Sequence, residues 1–124
     1  MAIGVQITFD VYACNVENLE SEAIIKQLVG LISDKLNAIV VKIYLHHFSP
    51  IGISCIAQIS ASHIAIHTWP EERFAAIDIF SCNAVPENQD FHSLIISSLG
   101  AMEIKSERFI RGELLHSTDG KNGI

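Results

Sequence analysis

Hydrophobic and polar positions alternate from Ile3 to Tyr12. Ile3, Val5, Ile7, Phe9 and Val11 share one parity, while Gln6, Thr8, Asp10 and Tyr12 share the other. A period of two predicts a half-buried strand. After the polar stretch 15–22 the period changes. Ile24, Ile25, Leu28, Val29, Leu31, Ile32 and Leu36 recur at helical spacing, predicting an amphipathic helix over Ser21 to Asn37. Alternation then returns. Ile39 to Phe48 sets Ile39, Val41, Ile43 and Leu45 on its apolar face, and Ile53 to Ser60 sets Ile53, Cys55, Ala57 and Ile59 against Ser54, Gln58 and Ser60. Ser49-Pro50-Ile51-Gly52 forms the turn between them. Strands over Ala61 to Glu71 and Phe74 to Cys82 follow; Pro70 ends the first, because proline has no N–H to give a ladder.

Pro86 suits a first helical turn and Gly100 a C-terminal cap, so Pro86 to Leu99 reads as a second helix. Met102 to Arg111 reads as a charged edge strand, and 116–124 as a flexible tail. The order is β-α-β-β-β-β-α-β. Four successive strands without a helix predict a largely antiparallel sheet with both helices on one face, an α+β two-layer sandwich. At 124 residues the chain is one domain, 1–124, with room for a single core.

Composition narrows the setting. Cys14, Cys55 and Cys82 are odd in number and form no CxxC pair, which fits free thiols in a reducing compartment. No apolar run is long enough to cross a bilayer and no secretory leader is recognisable, so a cytoplasmic protein is expected. Fourteen acidic against eight basic residues argue against nucleic acid as the partner and are compatible with a cationic substrate.

Strand parity also gathers chemistry on one face. Opposite the apolar positions lie Tyr12, Phe48, Ser54, Gln58, His63 and His67, with Asp78 and Cys82 sharing a parity on the fifth strand. Such a face is a pocket or an interface, and a homodimer joined through it is expected. The densest part is Ala61 to Glu71, where His63, Ala65 and His67 project one way and Ile64, Ile66 and Thr68 the other. Ser62 has the parity of Ile64, so meeting His67 requires a break, and irregular backbone is expected at Ser62. His46, His47 and His63 lack a further ligand at recognisable spacing, so no metal is expected. Cys14 and Cys55 read as small buried hydrophobes, Trp69 as core or interface, and Glu103, Lys105, Glu107 and Arg108 as a solvated edge.

Four segments together resemble the short prokaryotic S-adenosylmethionine decarboxylases: Asp10–Asn15, His47–Pro50 with Gly52-Ile53-Ser54, Ser62–Glu71, and Ala75–Cys82. The run Ser-His-x-x-x-His-Thr-Trp-Pro-Glu, preceded by Gly-x-Ser, is the specific part. The resemblance implies a proenzyme that cuts itself between Ala61 and Ser62, leaving a β chain of 1–61 and an α chain of 62–124. It implies a pyruvoyl cofactor made from Ser62, which holds the substrate as a Schiff base, and no metal. Ser54 would assist the processing oxyanion and His67 would be the processing base. Cys82 would donate the proton after carboxylate leaves. Phe48 would stack on adenine with Tyr12 on its other side, and Glu71 would hold the ribose hydroxyls. The product would be the aminopropyl donor for spermidine and polyamine synthesis. Ala61 stands where the family carries Glu, and Ser81-Cys82-Asn83 where it carries Thr-Cys-Gly. Two alternatives accompany this reading: a pyruvoyl decarboxylase of arginine or ornithine, and an unprocessed paralogue acting as a binding or regulatory partner.

Overall fold

A computed structural model describes residues 2–86 and 89–113. The alternating stretches form strands β1 (Gly4–Tyr12), β2 (Val40–His47), β3 (Ile53–Ile59), β4 (Ser62–Trp69), β5 (Phe74–Ser81) and β6 (Glu103–Arg111). They pair antiparallel throughout in one six-stranded sheet of order β2-β3-β4-β5-β1-β6. Helices α1 (Val16–Leu19), α2 (Glu22–Lys35) and α3 (Phe91–Leu99) are added, with a 3₁₀ turn at Pro70–Glu72. This is the expected α+β architecture, and β6 is indeed an edge strand.

The core lies between helices and sheet. Ile7, Phe9 and Val11 of β1, Ile53, Cys55, Ala57 and Ile59 of β3, Ile64 and Ile66 of β4, and Ala75, Ile77 and Ile79 of β5 are buried on one face. Against them pack Ile25, Leu28, Val29 and Ile32 of α2 and Phe91, Ile95 and Leu99 of α3. Each fully buried Ile, Leu or Phe contributes about 1.5–3 kcal/mol of transfer free energy. Caps set the helix starts. The Ser21 hydroxyl accepts from the Ile24 N–H at 3.1 Å, and the Asp90 carboxylate from the Ser93 N–H at 3.0 Å. Gly100 closes α3 at φ 61°, where a Cβ would come within 3.0 Å of the Asn15 Cβ.

Three expectations need correction. The second helix starts at Phe91 rather than Pro86: Asp90 caps there, and just before it the Gln89 side chain is spent on the Lys35 carbonyl. On β2 a register shift between Val40 and Lys42 reverses the parity, so Val40, Ile43 and Leu45 are the partly buried positions, while Ile39 and Val41 stand exposed at 73% and 59%. Ile3, expected on the apolar face of β1, precedes the strand and is exposed. The expected tail at 116–124 lies outside the described residues.

Candidate active site

Strand β4 carries most of the chemistry, and its two ends differ. At its C-terminal end the pairing Ser54↔His67 places the Ser54 hydroxyl 2.9 Å from His67 Nδ1. Ser54 is the second residue of β3, and Phe48 lies just past the end of β2, and both face the same space. Phe48, Ile51, Ser54, His67, Trp69 and Glu71 line an open cavity of about 330 Å³. The Trp69 ring stands 6.3 Å from His67 and 5.6 Å from Phe74. Below it Thr68 points into the core, accepting from the Ile53 N–H at 2.9 Å and donating to the Leu19 carbonyl at 3.1 Å. That buried double bond fixes where the end of β4 sits against β3 and α1.

At the N-terminal end of β4 stands Ser62. Its φ is +142°, a region that residues with a Cβ rarely adopt, which matches the irregular backbone expected there. The preceding Ala61 carbonyl accepts from the Cys82 N–H at 2.7 Å. Cys82 itself follows the last residue of β5 and is exposed, while Cys14 and Cys55 are buried. Burial pushes the Cys14 thiol up to about 11 and the Cys55 thiol upward as well. Asn83 anchors the turn after Cys82: its side chain donates to the Leu36 carbonyl at 2.9 Å, and its N–H is taken by the Ser81 hydroxyl at 3.1 Å. His63 lies beside Ser62, with Nδ1 at 3.4 Å from the hydroxyl, and its ring sits 5.9 Å from Phe80.

The structure therefore brings Ser54, His67, Phe48 and Glu71 together, and separately Ala61, Ser62 and Cys82. It does not bring the two groups together within one chain. Five residue steps separate Ser62 from His67 on a regular strand, roughly 16 Å. Tyr12 joins neither group. It ends β1, with three strands between it and Phe48's neighbour β2, and packs on Phe74 with Lys105 over its ring. Trp69 and Ile51 were not expected as lining residues; the period of β4 carries Trp69 to the His67 face, which is the signal that could have placed it. Among the described residues no group of three metal-ligating side chains occurs, and no helix is long and apolar enough to cross a membrane.

Comparison with known proteins decides the family. A family model described as S-adenosylmethionine decarboxylase matches residues 5–112. The chain belongs to the S-adenosylmethionine decarboxylase family. Relatives named S-adenosylmethionine decarboxylase proenzyme include one from Acidithiobacillus ferrooxidans, 31% identical over 91% of this chain and 85% of the relative. Another, from Caldicellulosiruptor saccharolyticus, is 33% identical over 90% of each. The crystal structure of the adenosylmethionine decarboxylase from Aquifex aeolicus superposes with a TM-score of 0.78 at 24% identity, covering 92% of this chain and 94% of that one, so the fold is shared. Family membership makes the chain a decarboxylase, a carboxy-lyase, with S-adenosylmethionine as the family's substrate.

Proposed function

We propose that this chain is a self-cleaving, pyruvoyl-dependent decarboxylase of S-adenosylmethionine that supplies the aminopropyl donor for spermidine synthesis in the cytoplasm. We further propose that it works as a homodimer. The observation that carries the reading is the division of β4: a strained serine with a pinned carbonyl at one end, a hydroxyl–imidazole pair beside an aromatic cavity at the other. A two-fold axis lying between two polar sheet faces, perpendicular to β4, reverses the partner strand. The Ser62 end of one protomer then meets the Ser54 and His67 end of its partner, twice. Exposed Tyr44, Ile56 and Phe48 on or beside that face supply apolar surface for the contact.

Processing follows from these groups. The Ser62 hydroxyl attacks the Ala61 carbonyl carbon, the peptide C–N bond breaks, and the proton passes to the Ser62 nitrogen, giving an ester. The Cys82 N–H already bonds the Ala61 oxygen and stabilises the charge that develops there; the partner's Ser54 hydroxyl is the second donor. His67, hydrogen-bonded to Ser54 through Nδ1, removes the Ser62 α-proton. The ester C–O bond then breaks, releasing the Ala61 carboxylate. Water replaces nitrogen on the remaining dehydroalanine, and ammonia leaves.

The strained backbone at half-buried Ser62 fits a pyruvoyl group, which when formed supplies the electron sink for loss of carboxylate. Cys82, just past the end of β5 and tied to Ala61 through its N–H, holds the proton that the substrate carbon needs. Phe48 and Trp69 present ring faces to an adenine and a sulfonium, and Glu71 presents a carboxylate to ribose hydroxyls. The test is release of labelled carbon dioxide from S-adenosylmethionine, arginine and ornithine in parallel. Release from the first alone supports the reading; release from a basic amino acid alone overturns the substrate.

A further inference from the structure

His47 stands at the end of β2 with both ring nitrogens against carboxylates. Nε2 is 3.0 Å from Glu20 Oε1, and Nδ1 is 3.0 Å from Glu22 Oε2. The second Glu20 oxygen accepts the Gly52 N–H at 2.5 Å. Gly52 in turn closes the turn 48–52 by accepting the Phe48 N–H at 2.7 Å, and its φ of +108° favours glycine. One carboxylate thus grips both ends of the turn that carries Phe48. It does so from the junction of α1 and α2, on the helical side of the sheet.

A neutral imidazole has a single N–H. Facing two carboxylate oxygens, it leaves one nitrogen lone pair against an oxygen lone pair. The arrangement is satisfied only by the doubly protonated ring. The charged groups that face His47 are Glu20 from the helix junction and Glu22 from the first turn of α2. From the turn comes only the Gly52 N–H, bound to Glu20. The paired residue on β3 is Ile53, and on β2 itself His46 projects to the other face, 4.5 Å from the Phe48 ring.

We propose that Glu20, His47 and Glu22 form a clasp that positions the substrate cavity: protonated His47 holds the Phe48 turn against the helical layer, and loss of that proton loosens the turn and weakens substrate binding. The clause about substrate rests on the adenosine-binding role proposed above for the cavity. The direction of titration agrees. The bonds to Glu20 and Glu22 raise His47 above the ordinary 6.5. Burial pulls the Glu20 carboxyl up, but the bonds from His47 and Gly52 outweigh it and hold the group below its ordinary value. A group raised on folding keeps its stabilising contact at low pH and loses it as pH rises through the folded value. The clasp is closed while His47 is protonated and opens as pH rises through its raised value, on the alkaline side of 6.5. His47 touches no reacting atom, so it is a positioning residue.

The experiment follows KM and kcat for S-adenosylmethionine with processed enzyme over roughly pH 6 to 9. In the wild type KM rises about two- to fivefold across the His47 titration, the range expected of a partly exposed ion pair. His47→Gln has the high KM at every pH, with kcat little changed. His47→Arg, charged throughout, keeps the low KM at every pH. A His47→Gln enzyme with wild-type KM at low pH, or a His47→Arg enzyme that keeps the alkaline rise, overturns the proposal. Hydrogen exchange at the Gly52 amide, corrected for its intrinsic rate, reads the clasp without turnover. Faster exchange in His47→Gln supports it, and equal rates refute it. A wild type that decarboxylates no S-adenosylmethionine refutes the reading of the cavity, while the Gly52 rates still decide the clasp.

Discussion

Two variants that are each dead alone should rescue one another. Ser62→Ala removes the attacking hydroxyl and His67→Ala the processing base. If each site takes Ser62 from one protomer and His67 from its partner, a mixed dimer holds one intact site and one site lacking both. Random pairing in a two-fold dimer makes about half the dimers mixed. About half of the Ser62-bearing chains, on the order of one quarter of all chains, then cleave. The separation of roughly 16 Å along β4 forbids the alternative in which both groups act within one chain, since proton transfer needs heavy atoms within about 3 Å. The assay is co-expression of the two chains with different tags, followed by electrophoresis and mass measurement of each. No cleavage in the mixture refutes the composite site. Cleavage of the His67→Ala chain on its own refutes it too, and directs attention to His63, which already lies 3.4 Å from the Ser62 hydroxyl.

Other outcomes follow from single groups. Cys82→Ala should still cleave but lose about 10²–10⁴ in turnover, because only the proton transfer to the substrate carbon is removed; unaltered kcat contradicts that role. Thr68→Val deletes a buried hydroxyl and orphans the Ile53 N–H and the Leu19 carbonyl, at a cost of about 1–3 kcal/mol, read as a fall of roughly 5–10 °C in Tm. Alkylation of the unprocessed native chain at about pH 8 should reach the exposed Cys82 and spare Cys14, whose thiol burial holds near 11, until denaturant is added; equal labelling contradicts the buried assignment.

Local pattern made much of this legible. The strict alternation in β3, β4 and β5 places Cys55, Ile64 and Ile77 inside and Ser54, His67 and Asp78 outside with no help from long-range contacts. The same rule failed on β2, where one extra residue near Val41 shifts the register; nothing in a run of Ile, Val and Val marks a bulge. The start of α3 was missed because Pro86 is a fit first-turn residue, while the competing cap at Asp90 acts through a bond to Ser93 that composition does not display. Pairing across the sheet was out of reach: β1 lies between β5 and β6, so Tyr12 is carried away from Phe48. The parity of Ser62 did reveal that a regular strand cannot join it to His67. It could not tell whether the chain bends to bring them together or leaves them apart for a second copy. The clasp at His47 joins residues more than twenty positions apart, and its only trace is an ordinary pair of glutamates near an ordinary pair of histidines.

The most direct test is the intact mass of purified protein after prolonged incubation. Conversion of the Ala61–Ser62 peptide bond predicts two fragments, 1–61 and 62–124, the second without a free amine at its new end. A single full-length mass with an unmodified Ser62 contradicts the account and leaves this family member without its reactive carbonyl.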